Sequence, residues 1–454
     1  MAELFGTDGI RGKVNQYPMT PEMALKTGKA AAIFFRAGSG HDRPKIVIGK
    51  DTRLSGDMIE SALISGLCAM GADAFLTGVL PTPGIAHLTK HLQADAGIVV
   101  SASHNPFHDN GIKFFNKQGF KLSDAVEKDM ESLILNQKPI PCDIKSEAIG
   151  KVHHVPEAVG IYSDFLAGHV TPETKKRLGK LTVAMDCANG ATSAIAPALF
   201  SRLGVDVVPL AMDPDGVNIN DACGSQYPEL LAETVLASRS DIGFAFDGDG
   251  DRVIAVDETG NVLTGDQLIA IFTHFFQKQN KLTHQTVVTT VMSNIGLSKA
   301  LSDMQVTHLK SAVGDRYVME KMVSSRAVLG GEDSGHIIFL NTHTTGDGLL
   351  AALHFLCVMV AEKMKASQLG TIMKVFPQVL MNVDVRIKPD IDEIQGLSEG
   401  MAKVEHQLGE TGRVLIRYSG TQPMCRVMVE AETHRDAEKY CSQLADIINK
   451  EIGA

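Results

Sequence analysis

Three aspartates alternate with glycine in DGDGDR (Asp247, Asp249 and Asp251), and Arg252 closes the run. Carboxylates this close repel one another unless a cation neutralises them, and the glycines let the backbone curl until all three face one point. A hard divalent ion is the economical occupant, Mg2+ by preference. A calcium-hand loop shares the first three ligand positions and even places Glu258 at the twelfth. However, Arg252 stands where that loop needs its turn glycine, and GFAF and VIAVD on either side read as strands rather than helices. The plain alternative is a solvated acidic turn at a strand end.

A second cluster follows the apolar run GIVV at 97–100, where the chain continues SASHNP. Pro106 disfavours helix for Asn105, so Ser103 is expected on a loop at the strand's end with its hydroxyl presented rather than buried. A hydrolase elbow needs glycines two before and two after its nucleophile, but Ser101 and Asn105 occupy those places. A serine can instead carry a phosphoryl group, given a cation beside its oxygen and donors that spread the charge in flight. The triple-aspartate loop can hold that cation, while Lys113 in NGIKFF and Arg11 in GTDGIRG can contact the phosphate. Taken alone, Ser103 and His104 read equally well as a turn cap.

Two further clusters offer polar groups for a sugar phosphate. In GGEDSGH, residues 330–336, Glu332 and Ser334 present an acceptor and a hydroxyl at alternate positions, suited to vicinal hydroxyls, and His336 can donate to a phosphate or act as acid or base. In RYSGTQPMCR, residues 417–426, Arg417, Ser419, Gly420 and Thr421 supply a guanidinium, hydroxyls and flexible backbone, with Arg426 as a second cation. By themselves these are a glycine-rich turn and a hairpin turn.

The elements around these clusters must be strands that end where the polar residues begin. Short β-branched runs such as KIVIGKD, LTVAMD, DIGFAF and QTVVTT alternate with amphipathic stretches through about residue 370, the pattern of α/β units with ligands gathered at the strands' carboxyl ends. Helix starts are expected at Thr20-Pro21, Ser55 and Ser123, and the apolar run at 348–361 is expected as a buried helix, short of the ~20 residues a membrane span needs. A strand followed by a polar turn recurs near Asp51, Asp186 and Ser293, an echo that suggests three related α/β domains with mixed sheets. The last stretch reads as an α+β domain. Expected boundaries are 1–150, 151–255, 256–370 and 371–454, with a Pro- and Lys-rich linker at 136–156.

Composition narrows the partners. The 454 residues carry a formal net charge of −10 without a cationic cluster, which disfavours nucleic acid and anionic membranes. Seven cysteines without a CxxC pair, and no charged-then-apolar leader, fit a reducing cytoplasm. Oligomeric state is not legible, and a homodimer is one option.

In this order along one chain, FGTDGIRG, SASHNP, DGDGDR, GEDSGH and RYSGTQP resemble the α-D-phosphohexomutase superfamily over essentially the whole sequence. DGVNINDACGSQYPE, VGDRYV and TTGDGLLAALH are similar to its bacterial branch that acts on glucosamine phosphate. The resemblance implies four domains around a cleft, a phosphoserine at Ser103, and a Mg2+ site at Asp247, Asp249 and Asp251 with that phosphate as a further ligand. It implies sugar recognition at Glu332 and Ser334 and phosphate binding at Arg417, Ser419, Gly420 and Thr421, with Arg11, Lys113, Arg252 and His336 around the reacting phosphate. The implied reaction converts glucosamine 6-phosphate to the 1-phosphate through a hexosamine 1,6-bisphosphate, toward UDP-N-acetylglucosamine and the cell wall. Two departures stand out: Asp333 replaces a usual glutamine, either favouring an ammonium at C2 or facing solvent, and Gln422 replaces a usual glutamate. Competing readings are a phosphoglucomutase or phosphomannomutase, and a non-catalytic sugar-phosphate sensor, for which an intact serine and metal loop would be superfluous.

Overall fold

Runs of β-branched residues become the strands of four sheets in the computed structural model, which describes residues 4–6, 8–40, 42–135, 144–419 and 422–454. The first sheet has seven strands in the order Phe5–Gly6, Gly9–Lys13, Asp109–Asn116, Ala96–Val100, Lys45–Lys50, Asp73–Val79 and Val152–His154. Its centre is parallel, and three strands at one side pair antiparallel. Every residue of Ala96–Val100 is buried, so the strand that delivers Ser103 has no solvent face and cannot slip in register without burying polar groups. Helices Pro21–Ser39 and Gly56–Ala69 cover the sheet, and Ile46, Ile48, Ile98, Leu63 and Leu67 meet in the core at about 1.5–3 kcal/mol of burial each.

Helices begin at the three expected starts, and the cap chemistry differs between Thr20 and Ser55. Thr20 caps its helix by accepting the Met23 N–H at 3.3 Å. Ser55 precedes Gly56–Ala69 but makes no cap bond; its hydroxyl accepts from Asn110 Nδ2 at 2.8 Å, a partner only the tertiary fold supplies.

The second sheet orders its strands Val262–Leu263, Val253–Asp257, Ile242–Phe246, Thr182–Asp186 and Asp206–Leu210; the third orders Thr307–Ser311, Thr286–Thr290, Leu329–Gly331 and Ile337–Phe339. Both are mixed. Three strand ends share one side-chain turn: Asp51 Oδ1 accepts the Arg53 N–H at 3.0 Å, Asp186 Oδ1 the Ala188 N–H at 2.8 Å and, ahead of the expected Ser293, Thr290 Oγ1 the Met292 N–H at 3.1 Å. Val152–His154 extends the first sheet beyond residue 150, and Val262–Leu263 extends the second beyond 255, the positions at which the sequence reading placed boundaries. Of the expected linker, residues 136–143 lie outside the described residues.

Helix Gly348–Glu362 is buried along most of its length, and Asp347 caps it by accepting the Leu350 N–H at 2.9 Å. Its first residue, Gly348, donates to the Gly250 carbonyl at 3.0 Å, which ties the helix to the DGDGDR loop. Among the described residues no helix is long and apolar enough to cross a membrane.

The chain divides into two compact units, Met1–Met292 with Val306–Thr371, and Ser293–Gln305 with Ile372–Ala454. The second holds an antiparallel sheet in the order Gln378–Asp384, Met424–Glu430, Arg413–Tyr418. Against it lies His434–Ile452, which buries Ala437, Cys441, Leu444, Ala445, Ile448 and Ile452 along one amphipathic stripe.

Candidate active site

Ser103 lies just past the carboxyl end of Ala96–Val100, in a left-handed conformation with φ of 54°. It is 1% exposed, and its hydroxyl donates to Asp247 Oδ2 at 2.5 Å. The expectation of a presented hydroxyl is therefore wrong: a strand end points to solvent in the sequence pattern, but the DGDGDR loop of the second sheet covers this one.

That loop is the turn between the antiparallel strands Ile242–Phe246 and Val253–Asp257, which excludes a helix-flanked calcium hand. Asp247, Asp249 and Asp251 are buried, and one carboxylate oxygen from each lies within 4.8 Å of the others. Their outer contacts are accounted for. Asp247 Oδ1 accepts the Arg252 N–H at 3.1 Å. Asp249 Oδ2 accepts from Thr82 Oγ1 and from Lys113 Nζ, each at 2.7 Å. Asp251 Oδ2 faces Lys113 Nζ at 3.8 Å and His336 Nδ1 at 3.6 Å. Asp249 Oδ1 and Asp251 Oδ1 remain buried with no hydrogen-bond partner among the described residues. Asp251 Oδ1 has Arg252 Nε near it, at 3.8 Å; with Asp249 Oδ1 and a third carboxylate beside them these oxygens form the donor set of a hard cation, so the loop fits the divalent ion expected of it. Burial, then Asp251 and Asp249, push the Asp247 carboxyl well above its ordinary value. Asp251 is held low: burial opposes its charge, but His336 and Lys113 overcome it.

Three cations surround the serine and the acids. Lys113, on strand Asp109–Asn116, is raised because Asp249, Asp8 and Asp251 outweigh its burial, and it meets Asp8 Oδ2 at 3.0 Å. Arg11, on Gly9–Lys13, pairs with Asp8 and points one terminal nitrogen at the Ala102 carbonyl, 3.5 Å away. Arg252 places a terminal nitrogen 3.1 Å from His104 Nδ1, while its Nε has no hydrogen-bond partner among the described residues. Burial, Arg252 and Arg11 draw His104 down to about 4, so its ring is neutral, with Nδ1 3.4 Å from Ser103 Oγ.

His336 lies between Asp251 and Asp315, whose Oδ2 is 3.4 Å from Nε2. The Gly346 N–H also approaches Nε2 at 3.1 Å, which suits a neutral ring, and burial opposes charge as well. The two carboxylates outweigh both and raise the histidine, since a direct anion on each nitrogen is the stronger interaction.

In the sugar loop, Glu332 Oε1 accepts the Gly314 N–H at 3.2 Å, and Ser334 Oγ is buried without a partner among the described residues. Asp333 is exposed and accepts the Asp266 N–H at 3.3 Å, at the N-terminus of helix Gly265–Lys278. In the second unit Arg417 and Arg426 sit opposite each other on adjacent strands. Burial and then the like charge of Arg426 lower the Arg417 guanidinium. Ser419 Oγ accepts the Gln422 N–H at 3.3 Å; Gly420 and Thr421 lie outside the described residues.

The sequence reading missed several members. Asp8 and Asp315 stood inside FGTDGIRG and VGDRYV, and Asp51 and Arg53 follow a strand exactly as Ser103 does, so position at a strand end would have found them. Lys121, which bonds both Asp8 and Asp315, had no local signal.

The phosphoglucomutase/phosphomannomutase family matches this chain in four consecutive parts: alpha/beta/alpha domain I over residues 2–140, domain II over 161–260, domain III over 264–376 and the C-terminal domain over 380–447. Curated relatives named phosphoglucosamine mutase include one from Syntrophus aciditrophicus, 54% identical over 100% of both chains. Another, from Pelobacter propionicus, is 48% identical over 100% of this chain and 99% of its own. Among solved structures, a phosphoglucomutase/phosphomannomutase family protein from Burkholderia thailandensis has a TM-score of 0.79 at 22% identity, covering 98% of this chain and 97% of that one. An Aspergillus fumigatus N-acetylphosphoglucosamine mutase in complex with GlcNAc-6P and magnesium has a TM-score of 0.67 at 15% identity, covering 100% and 96%. At these identities the solved structures share the fold.

Proposed function

We propose, from the premise that the chain belongs to the phosphoglucomutase/phosphomannomutase family, that it interconverts glucosamine 6-phosphate and glucosamine 1-phosphate in the cytoplasm. The observation that carries this is the Ser103 hydroxyl 2.5 Å from Asp247, inside a buried trio of carboxylates. The full-length relatives named phosphoglucosamine mutase favour the amino sugar over glucose or mannose phosphates.

The reaction runs in two transfers at one oxygen. Phosphoserine 103 gives its phosphoryl group to O1 of glucosamine 6-phosphate: the P–Oγ bond breaks, a P–O1 bond forms, and the O1 proton ends on Oγ, from which the second transfer returns it to O6. The 1,6-bisphosphate reorients, and Ser103 Oγ takes the phosphoryl from O6, which regains a proton, leaving glucosamine 1-phosphate. Asp247, Asp249 and Asp251 would hold Mg2+, which when bound offsets charge on the phosphoryl oxygens. Lys113, Arg11, Arg252 and His336 supply fixed donors to the same group, already oriented by the acids they pair with. Glu332 and Ser334 orient the sugar hydroxyls, and Arg417, Ser419 and Arg426 bind the phosphate that is not reacting.

Intact-mass measurement of the purified chain tests the carrier: a phosphate increment mapping to Ser103 is expected. Ser103→Ala should lose turnover while still binding substrate, and substantial residual isomerisation would place the carrier elsewhere. Turnover of glucosamine 6-phosphate against glucose and mannose 6-phosphates tests the sugar, and faster turnover of either neutral sugar would reverse the assignment.

A further inference from the structure

All five N–H bonds of the Arg53 guanidinium are directed at the serine loop and its support. Nε donates to Asp51 Oδ2 at 2.9 Å. One terminal nitrogen donates to the Pro106 carbonyl and to that of Asp109 at 3.1 Å; the other donates to the carbonyls of Ser103 at 3.0 Å and Asn105 at 2.7 Å. The side chain is fully buried. Asp51 in turn accepts from Ser101 Oγ at 2.5 Å, and Ser101 Oγ accepts the Ser103 N–H at 3.0 Å. Both the N–H and the carbonyl of Ser103 therefore end on one network. From the second sheet's side, Asn220 Nδ2 donates to the same two carbonyls, Ser103 at 2.9 Å and Asn105 at 3.0 Å.

This network answers two physical problems. Ser103 has φ of 54°, a region that side-chain-bearing residues seldom occupy, and four carbonyls, that of Ser103 buried, converge on one point and repel one another unless donors lie between them. A planar fork with five donors meets four carbonyls and a carboxylate at once; an ammonium has three donors on one atom and cannot.

We infer that Arg53, seated by Asp51, is a positioning residue for the phosphoryl transfer, holding the Ser103 loop so that the same Oγ is in place for both halves of the reaction. The inference rests on the transfer reading above. On the loop Arg53 bonds main-chain carbonyls, and its remaining side-chain bond is to Asp51, so it acts through Ser103. Displacement of a reacting atom by about 1 Å is enough to cost about a hundredfold in rate.

The experiment uses the full chain. Wild-type turnover of glucosamine 6-phosphate primed with the 1,6-bisphosphate is measured first; its absence overturns the reaction itself and this inference with it. With the wild type active, Arg53→Lys should lower kcat per folded molecule by about a hundredfold with KM within about threefold, since substrate contacts are untouched. Asn220→Ala, which removes two donors and no charge, should lower kcat by about tenfold with the same KM. Should Arg53→Lys not fold, Asn220→Ala decides on the same terms. A kcat per folded molecule within about twofold of wild type, or a loss confined to KM, overturns the inference.

Discussion

Lys121 is ion-paired with Asp315, 194 positions further along the chain, and the same ammonium reaches Asp8. From Asp8 the contacts continue to Lys113 at 3.0 Å, Asp251 at 3.8 Å, His336 at 3.6 Å and back to Asp315 at 3.4 Å. Six charges of alternating sign thus close a ring through the first sheet, the DGDGDR loop and the third sheet. Each ion has opposite neighbours on both sides, which offsets the desolvation of a buried charge.

Removing the cation with least exposure to chemistry tests the ring. Lys121→Met leaves the partly buried Asp8 and Asp315 each short of one partner, and should destabilise the fold by about 2–3 kcal/mol, less than the loss of a fully buried pair. The measurement is the denaturant midpoint of the transition that reports on the first sheet. Adding Asp315→Asn should recover part of the loss, because the second change removes one uncompensated anion. A shift below about 1 kcal/mol would mean that water, not Lys121, balances these acids.

Divalent ion should bind the folded chain and not the unfolded one, so the melting temperature should rise with added Mg2+ and fall back on chelation. A hundredfold excess over Kd corresponds to about 2.7 kcal/mol. Asp249→Asn replaces an orphaned buried carboxylate oxygen by a neutral amide and should abolish the shift. An unchanged Mg2+ response in that variant would place the ion elsewhere.

Histidines away from the site should govern acid stability. His343 and His354 are drawn down to about 3 and His87 to about 4, in each case by burial first and then by neighbouring cations or histidines. His354 packs 4.5 Å from the Phe339 ring, and its Nε2 is buried without a partner among the described residues. The unfolded chain takes up protons near pH 6.5, while the folded chain resists until about 3 to 4. Stability is therefore complete above 6.5 and falls as pH is lowered, by up to about 1.4 kcal/mol per pH unit for each histidine. His354→Met should flatten that slope between pH 6 and 4 and cost little at pH 7, and an unaltered slope would assign acid lability to other groups.

How much of this was legible follows from what each signal encodes. Strand ends are local, so the positions of Ser103, the three aspartates and the GEDSGH loop could be read from apolar runs that stop at polar residues. Contacts between clusters are not local. Ser103 reads as exposed because nothing near it in sequence says that Gly248 and Asp247 will lie over it. Ser55 reads as a cap until Asn110 takes its hydroxyl, and nothing local marks Lys121 as the partner of two distant acids. Asp333 reads equally as a sugar-facing group or a solvent-facing one; it is exposed, and its contact with the Asp266 N–H depends on where another helix begins.

The two glycines of DGDGDR have different reasons to be glycine, and the difference is testable. Gly250 has φ of 72°, where any side chain strains the backbone, and a Cβ there would meet Thr192 Cγ2 at 2.6 Å. Gly248 needs no unusual φ; a Cβ on it would stand 2.7 Å from the Ser103 carbonyl oxygen and 2.8 Å from Asn220 Nδ2. Gly250→Ala should therefore cost stability, about 1–2 kcal/mol from the left-handed backbone before any clash is counted. Gly248→Ala must instead push the metal loop off the serine loop, because beside Ile219 Cδ1, the end of a side chain, it meets the Ser103 backbone and the Asn220 amide already bonded to that backbone. Its stability should change less than its turnover: kcat should fall by about tenfold or more, and the Mg2+-induced rise in melting temperature should persist because the three aspartates stay in one turn. Equal kcat in Gly248→Ala and wild type would show that the two loops can separate by the width of a methyl group without consequence, and the close approach of Ser103 to Asp247 would then not be what the reaction depends on.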